Sequence, residues 1–242
     1  MLRPLSREAS FPVEPDRVGD RFLLTWRGKL TAASLLAGLT WLAGVIQDLL
    51  LYRGSRPDFS HKIWFLDVDV EQSAFTWISV VALFSAAAIL LHNADRAISA
   101  RRRFVWHWYV LAAVFLFLSF DEFGGIHERL SAAIGARFHP TGLLHFAWAA
   151  PAGVVALTGF AFFVPFILSF PKRLAILMVV SAVIFLGGSV GLEMVGGKIE
   201  EAAGLNNLLY RAESNLEEGM ELLGVLLFIY VMLRYRELEG QS

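Results

Sequence analysis

The stretch Lys172-Arg-Leu-Ala-Ile-Leu-Met-Val-Val-Ser-Ala-Val-Ile-Phe-Leu-Gly-Gly-Ser-Val-Gly-Leu-Glu193 decides the fold class. No ionisable side chain lies between Arg173 and Glu193, and at about 1.5 Å of rise per residue a helix over that interval is about 30 Å long. A bilayer's hydrocarbon core has about that thickness and needs about 20 apolar residues to cross it. The two ends differ: bases precede the run and an acid closes it.

Comparable runs lie on either side. With this one they predict spans at roughly Lys29–Tyr52, Gln72–His92, Phe104–Phe123, Gly142–Phe170, Leu174–Val195 and Leu216–Leu233. The expectation is an all-α, six-transmembrane-helix bundle comprising residues 29–235, with an N-terminal tail at 1–28 and a C-terminal tail at 236–242. Pro151 and Pro165 predict a kink or tilt in the fourth span. Composition agrees, since 56% of the 242 residues are hydrophobic and 18% charged, against about 25% charged in average soluble chains. Mean hydropathy is +0.56.

Lysine and arginine set the orientation. Fourteen of the 21 fall in the tails and in the Asn93–Arg103 and Lys172–Arg173 connections, and seven on the other side. An even number of spans then puts both termini in the cytoplasm, with the bundle in the inner (plasma) membrane. The first 28 residues mix arginine with Glu8, Glu14, Asp16 and Asp20, which is not a signal peptide; Phe22-Leu23-Leu24 reads as interfacial. The absence of cysteine excludes disulfides, thiolate metal sites and cysteine nucleophiles. A net charge of -1 gives no case for a nucleic-acid partner. Phosphate loops, nucleophile elbows and dinucleotide fingerprints are also missing.

Fifteen of the 22 acids lie on the arginine-poor side, mostly at helix ends. Counting from Arg234, Glu221 lies about 10 Å inside the hydrocarbon boundary and Glu217 and Glu218 about 5 Å. Acids at that depth face a bundle interior or a wet cavity and mark function. Residues seven apart nearly eclipse on a helix, so Asp121 and Glu128 of Asp121-Glu122-Phe-Gly-Gly-Ile-His127-Glu128 share a face, with Gly124 and Gly125 between them. The candidate ligands for a divalent transition metal (zinc, iron or manganese) are Asp121, Glu122, His127, Glu128, His145, Glu193, Glu218 and Glu221. Glu221, Glu218 and Asp121 are the candidates for acid–base catalysis.

Plainer readings compete. The acids could form a solvated rim, which fits Glu213 to Glu218 at a helix start but not Glu221. His127 and His145 could be hydrogen-bonded polar residues. Asp67-Val-Asp69-Val-Glu71 lacks the remaining ligands of a calcium loop, and its expected use is to complement the dipole at the start of the second span.

Phe65-Leu-Asp67-Val-Asp69-Val-Glu71 with Thr76-Trp77, Phe120-Asp-Glu-Phe-Gly-Gly-Ile-His-Glu128 and Glu217-Glu-Gly-Met-Glu-Leu222 resemble an uncharacterised family of multi-pass bacterial membrane proteins, over about residues 60–233. That resemblance implies no established activity. Intramembrane histidine and acid ligands are also similar to ceramidase-like membrane hydrolases, but the spaced histidine pairs of those enzymes are missing. Three functions stay open. One is a metal-dependent membrane enzyme acting on a lipid or amphiphile, another a proton or cation transporter or channel. The third is an accessory subunit that pairs with a membrane-complex partner or a second copy.

Overall fold

The computed structural model describes residues 25–53 and 61–240; the tail with its expected interfacial segment lies outside the described residues. Within them, helix α1 runs Trp26–Tyr52 and opens on Thr25, whose hydroxyl accepts from Gly28 N. Helix α2, Ala74–Ser99, opens on Ser73 in the same way. Such caps satisfy amide donors that the first turn leaves free. Helix α3, Val105–Gly124, stops at Gly125 with φ 56°. A short helix α4, Ile126–Phe138, follows.

Helix α5 covers Ala149–Ile167 and α6 Lys172–Leu186. A π-helical turn, Gly187–Leu192, joins α6 directly to α7, Glu193–Ala203. Helix α8, Leu208–Glu239, is capped by Asn207, whose side chain accepts from Tyr210 N. The fourth predicted span is corrected: residues 142–144 form a separate 3-10 turn, and the helix begins at Ala149 with Pro151 in its first turn. A proline there removes no needed hydrogen bond, so only Pro165 lies in the helix interior.

Among the described residues five helices are long and apolar enough to cross a membrane: α1, α2, α3, α5 and the continuous Lys172–Ala203 rod. The chain is a multi-pass, all-helical membrane protein. Its outward face suits hydrocarbon, with Leu35, Trp106, Val155 and Leu157 more than half exposed. Helix α8 is the exception. Its uncharged stretch, Leu222–Leu233, follows Glu213, Glu217, Glu218 and Glu221, and it packs against α1, α2, α6, the π turn and α7. Protein, not lipid, surrounds much of it, so acids on it can face inward.

Two packing devices hold the bundle. Ala82, Ala86, Leu90 and Ala94 are all buried at four-residue intervals on α2, a narrow stripe that lets α3 and α8 approach closely. Where α8 meets α6, a Cβ built on Gly224 would stand 2.8 Å from Phe185 Cβ, so any larger residue would push the two helices apart. Both ends are tied as well. Arg27 at the start of α1 donates to both oxygens of Glu237 at 3.1 and 3.0 Å, and Arg102, in the α2–α3 connection, bonds Glu239. Phe170, between α5 and α6, packs on Tyr235 at 4.6 Å. These contacts gather one arginine-rich end; the acids gather at the other.

Candidate functional site

The loop before α2 is anchored at the acid-rich end. Val68 is buried against Gly44 of α1. The Lys62 ammonium lies between two carboxylates, 2.9 Å from Asp48 Oδ1 and 2.5 Å from Asp67 Oδ1. Both aspartates are 4% exposed; buried charges persist only when paired and hydrogen-bonded. Asp48 Oδ2 also accepts from Asn215 Nδ2 at 2.7 Å, and Asn215 O accepts from Trp41 Nε1 at 2.7 Å.

Asp69 points to α8, accepting from Arg211 Nη1 at 2.7 Å and from Ser214 Oγ at 2.6 Å. Burial pushes its carboxyl above the ordinary range, while Ser214 and Arg211 oppose the shift. The helix-dipole role expected for Asp67, Asp69 and Glu71 is therefore corrected. Ser73 caps α2, no acid occupies its first turn, and two of the three acids bind bases elsewhere in the fold.

The second component is the corner between α3 and α4. Gly125 takes a left-handed conformation that favours glycine, and Glu71 presses its carboxylate there, 2.3 Å from where a Cβ would stand. Turning the chain at this point brings His127 back over α3. Its backbone N donates to Asp121 Oδ1 at 2.8 Å and its Nδ1 lies 3.0 Å from Oδ2. Burial alone would lower the imidazole, but the hydrogen bond and charge of Asp121, with Glu193 and Glu221 beyond, raise it to about 9. Asp121 and Glu128 do not share a face of one continuous helix, because the helix is broken between them.

Helix α7 supplies the third component. Its first residue, Glu193, accepts from Trp148 Nε1 at 3.0 Å, and Trp148 stacks obliquely 5.1 Å from the His127 ring. The Glu217 carboxyl on α8 stands close to that of Glu193. Two such carboxylates repel unless a proton or a cation lies between them. Further along α7, Glu200 lies 3.6 Å from His145 Nε2.

These pieces enclose a cavity of about 640 Å³. The loop contributes Asp69 and Glu71, and the corner Glu122, His127 and Glu128. Helix α7 adds Glu193 and Glu200, α8 adds Glu217 and Glu218, and His139 and His145 complete the rim. Among the described residues no lysine or arginine lines it. Among the described residues no three histidine or acidic side chains are grouped closely enough to hold a metal ion as they stand.

A family model described as a domain of unknown function, DUF8692, matches residues 30–235. The chain belongs to the DUF8692 family. No curated protein and no solved structure matches it. With no activity attached to the family, function has to be argued from the site's chemistry.

Of the eight sequence candidates in this DUF8692 chain, Glu122, His127, Glu128, His145, Glu193 and Glu218 border the cavity. Asp121 stands behind His127. Glu221 is not among the lining residues; its Cγ lies against Gly188 of the π turn. Sequence reasoning did not place Asp69, Glu71, Glu200 and Tyr210 at the site. Glu71 was marked only by the glycine pair that receives it, and Asp69 only by distant Arg211.

Proposed function

We propose that the chain crosses a bacterial inner membrane six times with both termini in the cytoplasm, and that its acid-rich cavity binds a hard divalent cation. The arginine bias supports the orientation, and the inward-facing position of α8 supports its being the sixth span. One observation carries the site: eight carboxylates and three histidines line a cavity with no lysine or arginine among the described residues of its walls. Such a concavity, walled by low-dielectric helices, concentrates cations.

Zinc favours tetrahedral, closely grouped donors. Magnesium or manganese keeps several waters and takes one or two carboxylates, which suits the Glu193–Glu217 pair with the other acids facing the ion's water shell. Binding of Mn²⁺ to detergent-purified protein, measured by calorimetry and electron paramagnetic resonance, tests this. The E193Q/E217Q variant should lose affinity by at least the about 10–100-fold typical of altering a metal's outer partners. No binding to the wild type, or equal affinity in the variant, overturns the reading.

A second reading, a metal-dependent hydrolase acting on a lipid or amphiphile, is favoured by the Asp121–His127 pair on the cavity wall. A bound divalent ion would make its coordinated water more acidic and so a readier nucleophile. Asp121 engages Nδ1 and so leaves Nε2 of His127 for proton transfer. Glu218 and Glu221 are the reserve acids of that scheme. Transport is less well supported, because Ala86, Leu90, Phe228 and Met232 pack the core between the two ends.

A further inference from the structure

At the arginine-rich end, α2, α3 and α8 leave a small cleft of about 10 Å³, room for one water. Arg96, Arg102 and Arg236 border it, with Asn93, Tyr235 and Glu239. Arg102 is committed to the Glu239 carboxylate and lies 3.3 Å from the Tyr235 hydroxyl. Arg96 and Arg236 are not: among the described residues neither is in an ion pair. Burial and the facing Arg96 together hold the Arg236 guanidinium below its ordinary range. Asn93 is 4% exposed, and its Nδ2 has no hydrogen-bond partner.

Two facing guanidiniums repel, and a buried amide donor left unpaired costs free energy. An anion with several acceptor oxygens and no donor relieves the repulsion, and one water enclosed beneath it links it to the amide. Guanidinium groups bind phosphate through paired, charge-assisted hydrogen bonds. Basic pockets between membrane helices on the cytoplasmic side are where lipid head groups dock. We infer that a phosphate group binds across the mouth of this cleft, held by Arg96 and Arg236. A water enclosed beneath it carries the hydrogen bond from Asn93.

The inference is independent of the cation reading and has its own test. Wild-type protein in dodecyl maltoside micelles, which contain no phosphate, is compared by thermal unfolding with the same protein in micelles mixed with phosphatidylglycerol. In a third arm, the lipid-free micelles receive inorganic phosphate. At about a hundredfold excess over Kd the bound state should unfold about 5 °C higher or more. A shift with phosphatidylglycerol alone assigns the phosphate to a lipid head group; a shift with inorganic phosphate assigns it to a free ion.

In R96Q/R236Q the shift should vanish while unfolding in the phosphate-free micelles is no lower than that of wild type, and Asn93→Ala should shrink the shift. The R101Q/R103Q variant removes two exposed arginines outside the cleft and should respond like wild type. No shift from either phosphate source overturns the inference. So does an R96Q/R236Q response equal to wild type, or a loss in R101Q/R103Q as complete as in R96Q/R236Q.

Discussion

Removing the Lys62 ammonium would leave the Asp48 and Asp67 carboxylates facing one another in a buried site, because both accept from the same nitrogen. Losing one partner from a buried ionic cluster costs about 3–5 kcal/mol, so Lys62→Met should lower stability by that order in urea titration. Neutralising the stranded acids in K62M/D48N/D67N should recover most of the loss, and a K62M variant as stable as wild type would contradict the pairing. His127 makes a different prediction. Its folded pKa of about 9 lies above the 6.5 of a free imidazole, so its pairing with Asp121 stabilises fully below about pH 6.5. That contribution fades as pH rises through 9. The gap in Tm between wild type and Asp121→Asn should therefore be widest near pH 6 and narrow towards pH 10; a gap independent of pH would count against the pair.

At the scale of the element, the π turn Gly187–Leu192 sets where Glu193 points. A π turn absorbs one residue more than the α-helix needs, so deleting Gly188 should restore regular helix and leave Glu193 on its face. Deleting Ile184 from the regular helix should instead rotate Glu193 by about 100° relative to the start of α6. The expected result is a folded protein with cation binding kept in the first deletion and lost in the second; binding kept in both would show that the direction of Glu193 does not matter. This turn and the α3–α4 corner are also where the sequence was hardest to read. Apolar runs between charges located the legs of the bundle, because hydrocarbon thickness imposes their length. The same logic drew attention to Glu122, Glu193 and Glu218. It could not reveal that Gly125 turns left-handed, since a glycine pair serves equally for close helix contact. Nor could spacing pair Asp69 with Arg211, which only the packing of the loop on α8 brings together.

Across the whole molecule, polarity between the two ends is the feature most easily tested. The natural chain has no cysteine, so single cysteines can report topology without background. Ser99→Cys lies at the arginine-rich end and Ser131→Cys on α4 at the acid-rich end. An impermeant thiol reagent applied to intact spheroplasts should label Ser131→Cys and spare Ser99→Cys until the membrane is opened. The reverse pattern would invert the orientation proposed above.

Helix α8 touches both ends, through Asn215 and Ser214 at one and Glu237 and Glu239 at the other. With four glutamates in its first half it partitions poorly into lipid alone. Its place in the bundle therefore depends on the groove that the preceding helices offer, lined by Asp48, Asp69 and the π turn. A chain stopped before residue 208 would present an unfilled groove to the cell's membrane proteases, so quality control can recognise a half-made copy by the face that α8 has not yet covered.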